Sequence, residues 1–113
     1  MHNCHCSRCR KARAAAHTTN GFVPIAAITF VRGEAGLRVF HVPGARPFRH
    51  VFCPRCGSGM PSLDAARGIA VVPLGSLDDD PGRGADDHIF VRSMAPWYAI
   101  TDDLPRFDEG PPG

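Results

Sequence analysis

Nowhere in this 113-residue sequence does an apolar run approach the roughly 18 residues that a membrane span requires. The opening stretch, "MHNCHCSRCRK", also lacks the apolar segment of a secretion signal. These two absences predict a cytoplasmic chain with no membrane partner. An excess of one charge is missing too. A formal net charge of +2 is too small to call for a nucleic-acid partner. There is no internal repeat and no dividing linker, so residues 1–113 are expected to form a single domain.

What the sequence has in quantity is turn formers, 11 prolines and 12 glycines, which argue for short elements rather than a bundle of long helices. A hydrophobic content of 43% argues against disorder. The class these features favour is mainly β. A domain of this length builds only a modest core, so a metal staple would help it.

Five cysteines supply the means. Cys4, Cys6 and Cys9 form C-x-C-x2-C, and Cys53 and Cys56 form C-x2-C. An odd count in a reducing compartment reads as metal ligation rather than disulfides. Zinc takes thiolates tetrahedrally, and an open site keeps one position for water or substrate. Cys4, Cys6 and Cys9 match such an open site, while Cys53-Pro54-Arg55-Cys56-Gly57 is a rubredoxin-like knuckle offering half of a closed one. Alternatively, Cys6, Cys9, Cys53 and Cys56 make one four-thiolate ribbon with Cys4 left over, or the cysteines are inert or redox-active. The C-x-C element favours the open site, since a ribbon has no use for it.

Between these groups, "KARAAAH" predicts a helical turn at most, stopped by "TTNG". "FVPIAAITFV" and "LRVFHV", joined by "RGEAG", predict a hairpin. "FRHVF" leads into the second cysteine pair as an alternating strand, with Gly57 at a turn position suited to positive φ. "GIAVVPL" and "HIFVRS" read as strands, "GSLDDDPGRGADD" as an acidic loop, and "DEGPPG" as a frayed tail. Phe22, Phe30, Phe40, Phe48, Phe52 and Phe90 are expected in the core, and Trp97 and Tyr98 in core or sheet packing.

The stretch "NCHCSRCRK", followed by "FCPRCGS", "GSLDDD" and "HIFVRSMAPWYAITDDLPRF", resembles the glutathione-dependent formaldehyde-activating enzymes, the zinc-binding superfamily that includes the centromere protein V domain. The resemblance runs from Asn3 to about Asp108. It implies an Mss4-like (β-tent) fold with two zinc sites, the catalytic one at Cys4, Cys6 and Cys9 and a structural one using Cys53 and Cys56. In the family a C-x-C-G motif near the N-terminus completes the structural site. The sequence lacks that motif, so the first strands of the fold are expected to be missing, which leaves a sheet edge through which the chain can oligomerise. Met94 stands where the family usually has lysine.

The resemblance further implies addition of glutathione, or a related thiol, to formaldehyde or another small aldehyde, a carbon–sulfur lyase-type reaction. Arg8 and Arg10 lie beside the proposed ligands and are expected to compensate their charge and grip a carboxylate of the thiol, the other reading being a solvated basic surface. His5 is a fourth ligand, a hydrogen-bond donor to a ligand or a residue pointing away. His17, His41, His50 and His88 have no ligand spacing and read as surface or partly buried residues. The alternative function is a zinc-stabilised binding module without turnover, which Met94 and the incomplete structural site favour.

Overall fold

The computed structural model describes residues 1–44 and 49–111. Strand outweighs helix, 29% to 18%, so the mainly β class holds. Among the described residues no helix is long and apolar enough to cross a membrane. The chain divides into two compact units, residues 1–20 with 77–113, and residues 21–76.

The first unit is built on β1 (His2–Cys4), which lies between β2 (Thr18–Pro24) and β7 (Asp87–Ile89). β2 runs antiparallel to β1, with His2 opposite Asn20, Asn3 opposite Thr19 and Cys4 opposite Thr18. β7 runs parallel, pairing His2 with Asp87, Asn3 with His88 and Cys4 with Ile89. Paired residues share a face and successive residues alternate, so this register divides the chemistry of the sheet in two. One face carries His2, Cys4, Thr18, Asn20, Asp87 and Ile89; the other carries Asn3, Thr19 and His88.

Side-chain bonds follow that division. His2 Nδ1 meets Asp87 Oδ1 at 2.6 Å on the first face, and the Thr19 hydroxyl donates to Asn3 Oδ1 at 2.6 Å on the second. The interior of this unit is unusually polar. Asn3, His5, Thr18, Asn20, Asp87 and His88 are all buried, beside the smaller apolar set Cys4, Cys9, Ile89 and Ala95.

Between β1 and β2 lies α1 (Ser7–Arg13), which starts earlier than "KARAAAH" suggested. The reason is capping: the Cys6 side chain accepts the Cys9 N–H, so the cysteine motif is itself the helix start. Ala14 ends the helix in the left-handed region, at φ 50°, with its N–H on the Arg10 carbonyl. "TTN" is therefore the start of β2 rather than a helix stop. After β7, Phe90 also takes positive φ, and Val91–Ser93 form a 3-10 turn, so only the first two residues of "HIFVRS" are strand. The tail is held as far as Glu109, whose carbonyl accepts the Phe90 N–H at 2.8 Å.

In the second unit the strand order is β5-β6-β2, with β5 at Ser62–Asp64 and β6 at Ile69–Pro73. β3 (Arg38–His41) and β4 (Arg49–Phe52) form a separate antiparallel pair. The expected hairpin is thus corrected: β3 pairs forward with β4, and "FVPIAAITFV" divides into the end of β2, a 3-10 turn at Ile25–Ala27 and irregular chain. Pro24 explains the break, since it lacks the N–H that would continue a ladder.

The aromatic core is corrected as well. Phe22 and Phe40 are 42% and 55% exposed, and Phe30, Phe52 and Phe90 are only half-buried. Phe48 lies outside the described residues. A two-stranded ribbon covers neither of its faces, and all four residues of β3 are exposed. Trp97, at 70% exposure, is likewise not core.

Candidate functional site

The extended segment that runs from β1 through His5 to the helix cap places Cys4 and Cys6 on one side, because side chains alternate along extended chain. One helical turn then carries Cys9, N–H first, back over Cys6. The result is three sulfur atoms all within 4.8 Å of one another, with Cys4 and Cys9 buried and Cys6 partly so. Tetrahedral thiolate coordination at about 2.3 Å from the metal would set sulfurs about 3.8 Å apart, so this cluster fits a metal ion. Thr18 and Asn20 of β2 support it from the same face: the Thr18 hydroxyl donates to the Cys9 carbonyl at 3.1 Å, and Asn20 Nδ2 approaches Cys9 Sγ at 4.0 Å.

The electrostatics of the cluster show why it wants a cation. The Cys6 thiol is held far below its ordinary value, because Cys4 and Cys9 donate to it, helped by the backbone N–H groups of Cys9 and Arg8. Cys4 is pushed up to about 11, chiefly by its bond to Cys6, and Cys9 is pushed up by its bonds to Cys4 and Cys6 together with burial. Of the three thiols, Cys6 is the one whose neighbours favour the thiolate. A second and third thiolate need a positive ion among them.

Arg8 and Arg10 both lie on α1. Arg8 is exposed; Arg10 is half-buried, and its Nε is buried without a hydrogen-bond partner. Arg10, Lys11 and Arg13 occupy the last helical turn, where positive charge also complements the helix dipole. Cys53 and Cys56 belong to the other unit. Gly57 has φ 76°, as the knuckle needs, and its N–H reaches the Cys53 carbonyl at 2.7 Å. The exposed Cys56 thiol is lowered, first by the Ser58 hydroxyl and then by its backbone N–H.

His5 points away from the sulfurs, the third of the readings open to it. Its ring is fully buried and Nε2 lies 2.8 Å from His88 Nδ1. His88, 1% exposed, places Nε2 3.0 Å from both oxygens of Asp102. Extending the β1–β2 register by one step puts His17 opposite His5, and their ring centroids are 4.9 Å apart. Tyr98 completes the group, 5.5 Å from His17 and 6.0 Å from His5.

Burial, then the nearby His17, His88 and Arg10, lower His5 to about 4; burial and His88 lower His17. The bond to His88 lowers the Asp102 carboxyl. Reading His17 and His88 as ordinary surface or partly buried residues missed this group. Two signals pointed to it: alternating polar residues in "HNCHC", and a histidine opening the apolar "HIFV".

The family described as glutathione-dependent formaldehyde-activating enzyme matches residues 1–93. No curated protein matches the chain. The matched span holds the three-thiol cluster, the knuckle, His5, His17 and His88, and stops short of Asp102.

Proposed function

Because the chain belongs to the glutathione-dependent formaldehyde-activating enzyme family, we propose that it adds glutathione, or a related thiol, to formaldehyde or another small aldehyde. The observation that carries this reading is the cluster of Cys4, Cys6 and Cys9, three sulfurs within 4.8 Å on one side of the chain. These cysteines would hold zinc, the borderline-soft ion that thiolates favour. Bound there, zinc would supply the Lewis acidity that favours the thiolate form of a thiol substrate.

The remaining work falls to the chain's own residues. Arg10, half-buried on α1, would grip a glutathione carboxylate through its guanidinium, and the exposed Arg8, two residues before it, adds positive charge that draws an anionic thiol in. Buried Cys4 and Cys9 keep water from the inner side of the cluster. The reaction balances without an oxidant: the thiol sulfur bonds to the carbonyl carbon, the carbonyl π pair moves to oxygen, and that oxygen ends with the proton the thiol lost. Its reverse is the carbon–sulfur lyase step. Holding the two partners in register supplies acceleration by orientation. We read Cys53 and Cys56 as ligands of a stabilising metal rather than as reacting groups, and the cytoplasm as the compartment whose reducing poise keeps all five cysteines unpaired.

Magnetisation-exchange NMR on glutathione and formaldehyde tests the proposal. Zinc-loaded protein is expected to speed adduct formation and breakdown, and Cys4→Ser to abolish the effect. Zinc bound at Cys4, Cys6 and Cys9 with no acceleration would instead support a binding module.

A further inference from the structure

The Cys4-His5-Cys6 segment is held from both sides of the chain. On one side stand the sulfurs. On the other, the His5 ring is fully buried and bonded to His88, whose far nitrogen faces Asp102. The backbone adds a third hold, since the His5 N–H donates to the Ile89 carbonyl at 3.0 Å.

His88 is itself fixed. Its N–H donates to the Pro105 carbonyl at 2.9 Å, and its carbonyl accepts the Phe107 N–H at 2.9 Å. Asp102 accepts the Leu104 N–H at 3.0 Å, so the carboxylate is anchored by the same tail segment. That segment lies beyond residue 93, where the family match ends.

The hydrogen bonds run in one direction. A carboxylate only accepts, so His88 Nε2 donates to Asp102. In the neutral chain His88 Nδ1 is then an acceptor, and His5 Nε2 must donate to it. The linkage therefore fixes both tautomers and the rotation of the His5 ring. Since side chains alternate, pinning that ring sets where the neighbouring sulfurs point.

We propose that Asp102, through His88, is a positioning residue for the metal site: the Asp102–His88–His5 linkage orders Cys4 and Cys6 before the ion arrives. The proposal rests on the reading that Cys4, Cys6 and Cys9 bind metal. Three mutually repelling thiolates on a loose segment would lose affinity to the cost of ordering them, and this linkage has met that cost in the fold.

Cobalt titration of the metal-free protein is the test, with thiolate-to-cobalt absorption reporting the site. Asp102→Ala is expected to weaken cobalt binding by about 10-fold or more, within the range for residues that orient ligands. His88→Gln should do the same, and Asp103→Ala, at an exposed neighbour, should bind as the wild type does. Asp102→Asn, which keeps an acceptor oxygen, should recover part of the loss.

Imidazole nitrogen shifts in the metal-free protein give a second readout. His88 should be the Nε2–H tautomer in wild type and a mixture in Asp102→Ala. The Asp102 side chain is 47% exposed, so its variant remains informative even where His88→Gln fails to fold. Wild-type affinity in a folded Asp102→Ala protein, or no change of tautomer, would overturn the positioning role. Absence of thiolate-to-cobalt absorption in the wild type would overturn the metal reading itself, and the inference with it.

Discussion

His5 Nε2 and His88 Nδ1 lie 2.8 Å apart inside the first unit, a distance that requires one ring to donate and the other to accept. Two imidazolium rings would place two protons in the same gap. The His5 ring that makes this bond is fully buried, and burial disfavours its charged form, so acid acts against this part of the fold.

The metal-free protein is expected to lose stability as pH falls from about 6.5 towards about 4. His5 is lowered from 6.5 to about 4 by burial first, and His17 is lowered in the same sense. In that window the unfolded chain binds protons that the folded rings refuse, so stability rises with pH and the contribution is complete above the unfolded value. The loss should be on the order of 1–3 kcal/mol. Urea unfolding of chelator-treated protein at pH 7 and pH 4.5 checks this, and His5→Phe should flatten the difference.

Cys4→Ser and Cys53→Ser should have different consequences. The first is expected to remove metal from the three-sulfur cluster and abolish thiol-dependent turnover. The second should lower stability and leave turnover largely in place. Metal analysis beside exchange rates reads both, and a Cys4→Ser protein with undiminished metal would instead support a ribbon that uses Cys6, Cys9, Cys53 and Cys56.

Arg10→Ala should weaken glutathione binding by about 1–3 kcal/mol, the cost of losing a charged hydrogen-bonding partner. Metal content should not change. Calorimetry on the zinc-loaded proteins measures it, and equal affinities would leave Arg10 as a residue that complements the last turn of α1.

Thr18→Val keeps the shape of a buried residue and removes its hydroxyl bond to the Cys9 carbonyl. An expected loss of about 1–2 kcal/mol follows from leaving that acceptor without its donor. Trp97→Ala, by contrast, should change stability by under about 0.5 kcal/mol, because the indole is largely exposed. Denaturant midpoints at constant slope decide both.

The chemistry of the thiol loop is legible in the sequence alone. C-x-C-x2-C is local: alternation in extended chain and one helical turn bring Cys4, Cys6 and Cys9 to one side, although the residues that brace them come from β2, β7 and the tail. The same local logic made Gly57 legible at its positive-φ turn, and turn-former content made the mainly β class legible. Tertiary structure decided the rest. His5, His17 and His88 become neighbours only through the antiparallel register of β1 with β2 and the parallel pairing of β1 with β7, and a parallel pairing leaves no turn signal between its strands. The forward pairing of β3 with β4 was equally hidden, since a run such as "LRVFHV" states that it is a strand and not which partner it takes. Burial of the phenylalanines failed for the same reason: alternation marks a face, and only another layer packed on that face makes it a core.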